Sequence, residues 1–263
     1  AAAIDKGPWL LARRLGLRIY AHVVGLVPNV GPAEVMKLGD EGLMGPDNVY
    51  IHFTGARPEQ MKRLKDTGGS LSLAVPIEMT MRHGTPPLQL ALDHGVRPAL
   101  SSDVETTMTS DIFSQMRAAF TMQRMHVNER ALRGEKDLPK LLSAKDVVEM
   151  ATIVGARCNA ADSRTGSLTP GKDADLVLLR TDMANVMPLN NAYGAIVTGM
   201  DTSNVDTVLV AGKIVKRSGR LVGVDLAGVR RKLGSSRDYL VGKLGWPRSE
   251  EHTSELQSRG LIS

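Results

Sequence analysis

Two histidines and one aspartate, His22, His52 and Asp103, lie at the ends of three short apolar runs. Imidazole nitrogen and carboxylate oxygen together suit Zn²⁺ or Fe²⁺, and a catalytic metal site keeps one position open for water. Water held there loses its proton near neutral pH, and a neighbouring carboxylate or imidazole can accept it. A histidine in an apolar strand can also be a core residue whose nitrogens have found partners, because burying it without them is costly. Two histidines and a carboxylate at equivalent strand ends shift the balance towards a metal site. Glu105 follows Asp103 by two residues, and Glu78 and His83 follow the third apolar run. Each of these could line a substrate pocket or be a solvated loop side chain. Asp173 and Asp175 sit in a turn before a strand and read as backbone-bonding Asx residues.

The elements that must position these groups alternate in type. Strand-length runs occur at 17–23, 48–53, 70–75 and 96–101, and the first three are rich in β-branched or aromatic residues. Between them, 58–65 begins with Pro at a first helical position, and 85–92 begins with a Thr N-cap and ends before Gly95. A longer helix is expected from Asp111 to about Arg133, with Ile112, Met116, Ala119 and Phe120 along one face. Strands alternating with helices predict parallel βα units. His22 to Asp103 spans three steps of 27 residues, close to the roughly 31 per unit of a (β/α)₈ barrel. A doubly wound sheet tolerates the same spacing. In a barrel, the C-terminal strand ends are where active sites lie. Four units are half of such a barrel, and an open half would leave two unpaired edges.

Beyond the βα units, Ser143 and Asp146 form a capping-box start to a helix through Cys158. A turn cluster at 166–175 runs into an apolar strand, and 208–215 reads as strand, turn and strand about Ala211-Gly212-Lys213. A basic amphipathic helix is expected at 226–244, with a solvated outer face rather than a membrane surface.

Composition removes several classes of function. The charge is mild, with 33 Lys+Arg against 28 Asp+Glu, or +5. Only two Trp, four Tyr and three Phe are present, too few for base-stacking platforms. Nucleic acid is therefore not expected as a partner. No apolar run approaches the roughly 20 residues of a membrane span, and the N-terminus shows no signal-peptide pattern. Cys158, the single cysteine, cannot form an internal disulfide. A soluble cytoplasmic protein is the expectation.

The runs 17–22, 49–52 and 95–103 resemble successive barrel strands of the amidohydrolase superfamily, in its cytosine-deaminase and triazine-hydrolase branch. Met150-Ala151-Thr152-Ile153-Val154-Gly155-Ala156-Arg157, then Gly166-Ser167-Leu168-Thr169-Pro170-Gly171-Lys172-Asp173-Ala174-Asp175-Leu176-Val177, resembles the stretch that closes the barrel in that family. Residues 208–215 resemble its closing β-sandwich strands. The resemblance covers about residues 10–225. It implies an α/β fold, here the C-terminal half of a (β/α)₈ TIM-type barrel plus part of a small β-sandwich. It also implies a metal-dependent hydrolase of a non-peptide carbon–nitrogen bond in a small heterocyclic or amidine-like substrate. One divalent metal is implied, Zn²⁺ first and Fe²⁺ as the alternative, and a homo-oligomer is common in the family. His22 would be the fifth-strand metal ligand. His52 would polarise the substrate or steer water, and Asp103 would bind the metal and act as general base.

Two departures matter. The family's first-strand His-x-His pair has no counterpart, and would lie upstream of Ala1. Gly25 stands where the branch's deaminases carry a proton-shuttling Glu, so hydrolysis in general is better supported than deamination. The competing expectations are a catalytically inert fragment and a ligand-binding scaffold with an incomplete metal site. The expected organisation is 1–160 as the second half of the barrel, 161–225 as sandwich strands and 226–247 as a C-terminal helix. Residues 248–263 form a tail whose start, 248–258, resembles a translated sequencing adapter.

Overall fold

The alternating signals become βα units in the computed structural model, which describes residues 5–25, 31–105 and 109–245. Helix α1 (Gly7–Arg14) is followed by β1 (Ile19–Val23), α2 (Pro32–Asp40), β2 (Asn48–His52) and α3 (Pro58–Asp66). Then come β3 (Ser70–Leu73), α4 (Val75–Thr80), α5 (Leu88–Asp93), β4 (Ala99–Leu100) and α6 (Ile112–Leu132). The four strands form a parallel sheet in the order β1-β2-β3-β4. Val23 pairs with His52 and Leu73 with Leu100, so the four C-terminal ends lie along one margin of the sheet.

One face of the sheet packs on the helices. Ala21, Val23, Tyr50, Leu71 and Leu73 join Val35, Met61, Leu64, Leu88, Met116 and Val147 in one buried cluster. Each Val, Leu or Met among them, removed from water, contributes about 1.5–3 kcal/mol. The stripe that α6 buries is Phe113, Met116, Ala119, Met122 and Val127, while Ile112 and Phe120 are only partly buried. On the other face, Val49 and Ala99 meet Val154 and Cys158 in a smaller cluster. Arg18 Nε donates to the carbonyl of Cys158 at 2.6 Å, and Tyr20 Oη donates to Asn159 Oδ1 at 2.8 Å. The segment responsible is α7 (Ala144–Glu149), a π-helical turn at Met150–Val154, and α8 (Gly155–Cys158). Val147 and Met150 serve the first cluster and Val154 and Cys158 the second.

Several helices differ from the expectation, and α5 begins at Leu88 with Pro87, not Thr85, at its N-cap. α1 and α2 fall where no helix was marked, and α4 begins at Val75, cutting the third apolar run short. Pro76 in its first turn suits a helix start. The fourth run shrinks to Ala99–Leu100, since Pro98 has no N–H to give a ladder.

The later strands β5 (Leu176–Leu179), β6 (Val205–Val210), β7 (Lys213–Arg217) and β8 (Arg220–Leu221) form a separate antiparallel sheet in that order. Between β5 and β6 lies the short helix α9 (Ala192–Gly194). Ala211 and Gly212 both take positive φ, +46° and +78°, the two-residue turn that matches hairpin twist. This sheet is a single layer, and none of its described side chains is fully buried. Helix α10 (Leu226–Leu244) follows. The expected adapter-derived tail at 248–263 lies outside the described residues. No described helix is long and apolar enough to cross a membrane.

Candidate active site

The strand ends bring polar groups together because each chain segment turns sharply there. β1 delivers His22 one residue before its end, and β2 ends on His52. After β3 the chain enters α4, which carries Glu78, and then the loop with His83. Three residues after β4 comes Asp103. The ring centroids of His22 and His52 are 4.9 Å apart, those of His52 and His83 5.1 Å, and those of His22 and His83 6.1 Å, all edge-on. His52 Nδ1 lies 3.0 Å from Glu78 Oε1, and His52 Nε2 lies 3.5 Å from Asp103 Oδ2.

Burial grades across this group. His52 and Glu78 are each 1% exposed and His83 is 9% exposed, while His22 and Asp103 remain open to solvent. Burial pulls the His83 pKa below its ordinary value, and the nearby His52 and His22 add to this against an opposing pull from Asp103. His22 shifts in the same direction for the same leading reason, with His52 next. Burial pushes Glu78 up, opposed by its bonds to His52 and the Ala74 amide. His83 Nδ1 and Glu78 Oε2 are buried without a hydrogen-bond partner among the described residues.

The backbone is strained at the same place. Seven described non-glycine residues have positive φ, and four of them are His52 (+69°), Phe53 (+53°), Arg82 (+55°) and Asp103 (+59°). Each costs about 1–3 kcal/mol, and such conformations gather at functional sites. A groove of about 500 Å³ starts from the residues next along the chain, Gly55 after the β2 end and Gly84 after His83, with His126 and Arg130 of α6 opposite.

The structure thus brings His22, His52, Glu78, His83 and Asp103 into one group. Glu105 is exposed and accepts a hydrogen bond from Ser110 Oγ instead. Asp175 accepts from the Ala211 amide at 2.7 Å and from Thr165 Oγ1 at 2.6 Å, and Asp173 pairs with Arg164, all away from this group. Two features had no sequence signal. The Ala74 amide donates to Glu78 Oε1 at 2.9 Å. At Gly25 an added Cβ would stand 2.6 Å from the Thr54 carbonyl oxygen and 3.1 Å from Gly55 Cα, so the β2–α3 loop leaves no room for a side chain there.

The donor atoms of His22 and Asp103 are of the kind that hold zinc, but two protein ligands are fewer than the three of a catalytic zinc centre. Among the described residues, no group of three or more His, Cys, Asp or Glu is arranged to hold a metal ion.

Residues 23–215 match the model of the amidohydrolase family. The chain is 29% identical over 219 residues to a 5'-deoxyadenosine deaminase of Methanothermobacter thermautotrophicus, covering 80% of this chain and 49% of that protein. It is 26% identical over 196 residues to a 5-methylthioadenosine/S-adenosylhomocysteine deaminase of Pyrococcus abyssi, covering 74% and 44%. The chain therefore spans about half the length of the curated relatives it matches. In fold, it is similar to a zinc-bound adenosine deaminase of Xanthomonas campestris, with a TM-score of 0.78, 20% identity, and coverage of 90% of this chain and 54% of that one. It is also similar to a zinc-bound atrazine chlorohydrolase of Arthrobacter aurescens, with a TM-score of 0.74, 17% identity, and coverage of 86% and 50%.

Proposed function

Since this chain belongs to the amidohydrolase family, we propose that the protein it forms part of hydrolyses a non-peptide carbon–nitrogen bond in a small molecule. The observation that carries this reading is the meeting of His22, His52 and Asp103 at the C-terminal side of parallel strands, joined by His83 from the loop after α4. The parallel sheet is then half of a (β/α)₈ barrel, and the antiparallel sheet belongs to a small β-sandwich. The substrate class is an aminated heterocycle or amidine, in keeping with the deaminases among the relatives.

His22 and Asp103 would hold one divalent metal, zinc before Fe²⁺, with further ligands from chain beyond the described residues. When bound, the metal supplies Lewis-acid activation of water and of the carbon under attack. The protein's own groups do the rest. Asp103, open to solvent, takes the proton from the attacking water and returns it to the departing nitrogen as the carbon–nitrogen bond breaks. His52 presents Nε2 beside Asp103 and stabilises charge that develops on the substrate. His83, with a buried and unpartnered Nδ1, lines the substrate side. The Glu of the deaminases in this branch has no place at Gly25, so proton return falls to Asp103.

A second reading has one observation in its favour. No described group of three or more ligands is set to hold a metal, so these 263 residues by themselves would bind metal weakly and turn nothing over.

Full-length protein loaded with zinc, assayed on aminated heterocycles, tests the first reading. Asp103→Asn and His52→Ala should each lower turnover by about 10²–10⁴-fold, the usual contribution of a positioned acid or base. Wild-type rates in either variant would remove that residue from the mechanism.

A further inference from the structure

We propose that Glu78 is a positioning residue that fixes the ring of His52 in its Nδ1–H tautomer and aims Nε2 at the reacting centre. This rests on the reading of His52 as catalytic given above. The assignment of the proton follows from one oxygen. Glu78 Oε1 accepts a hydrogen bond from the Ala74 amide at 2.9 Å and lies 3.0 Å from His52 Nδ1. An oxygen already accepting from an amide acts as an acceptor, so Nδ1 is the donor whether or not Oε2 carries a proton. Nε2, on the far side of the ring, is left facing Asp103 Oδ2 at 3.5 Å.

The geometry leaves the ring little choice. His52 closes β2 at a φ of +69°, and its ring is flanked edge-on by His22 and His83. Glu78 reaches back four residues along α4 to the Ala74 amide, so one carboxylate ties the end of β2 to the start of α4. A glutamine would satisfy both donors with its single carbonyl oxygen. A glutamate instead buries a second oxygen that has no partner among the described residues, which is the more costly choice. What the carboxylate adds is a stronger acceptor for Nδ1–H, which holds the ring and fixes its tautomer. Glu78 is 1% exposed, so it acts through His52 and not on substrate.

The test is ¹⁵N-histidine NMR on the full-length protein, together with kinetics of Glu78→Gln. In the wild type, the His52 resonances, assigned with His52→Ala, should show a protonated Nδ1 and an unprotonated Nε2. Glu78→Gln should move the Nδ1–H signal upfield and lower kcat about 10–100-fold with KM and metal content unchanged. An Nε2–H tautomer in the wild type would overturn the proposal. So would a folded Glu78→Gln with wild-type kcat, or one that raises KM alone. The tautomer is read in the wild type without substrate, so it decides this claim separately from turnover. The expected tautomer in a protein that hydrolyses no carbon–nitrogen bond would sink the proposed function and leave the positioning intact.

Discussion

A proton added to His83 would have to sit in a ring that is 9% exposed and packed against two other imidazoles. Its folded pKa is therefore below the ordinary value of about 6.5. A depressed histidine binds its proton more readily in the unfolded chain, so the stability it contributes is complete above about pH 6.5 and is lost as pH falls towards the folded pKa. His22 acts in the same direction, with burial again the leading cause. Glu78, shifted upward, opposes them, since its protonation is favoured in the folded state. Metal-free protein carrying His83→Gln should thus lose less stability than the wild type between pH 7.5 and 5.5. Urea midpoints at the two values measure this, and equal losses would remove His83 from the buried cluster. At this scale, His22, His52 and Asp103 were legible as strand-end residues. Glu78 and His83 were legible only as loop candidates, because what places them is the turn of α4 straight after β3. The closure over Gly25 depends on a loop from another strand and leaves no trace in local sequence.

Each element brings its own boundary chemistry to the site. Helix α6, which walls the core below the strand ends, starts at Asp111, whose Oδ1 accepts from the Ser114 amide at 2.8 Å. Such a cap is worth about 1 kcal/mol. Asp111→Ala should lower unfolding free energy by about that amount in a denaturant titration, and no change would mean that the helix end is satisfied otherwise. This helix was readable because its cap, its apolar stripe and its length agree. α1 was not, since none of its residues is fully buried and only Trp9 packs, partly buried, against the core. Arg13 pairs with Asp47 through two hydrogen bonds of 2.9 and 3.1 Å and also donates to Leu43 O. α2 was missed for a different reason. Its N-cap is Gly31, and the Glu34 side chain returns to that amide at 3.1 Å, so no Ser, Thr or Asp marks the start. The hairpin of β6 and β7 was legible from Ala211-Gly212, whose conformation only a few residue types accept.

For the whole molecule, the parallel βα units followed from the alternation of strands with helices, and the family followed from motifs in the second half. The closure of the sheet is not a local property, and periodicity does not fix it. The same sheet faces helices on one side and only a short helical segment on the other. The antiparallel layer leaves Val177 and Val210 more than half exposed, and nothing in its alternation says what would cover them. The central claim concerns one point in space, in front of His52 and between His22 and Asp103. Anomalous diffraction at the zinc edge, on crystals of the full-length protein grown with zinc, locates the metal directly. A peak within bonding distance of His22 and Asp103 is the expected result. Zinc bound elsewhere, or none at that point in metal-replete crystals, would contradict it.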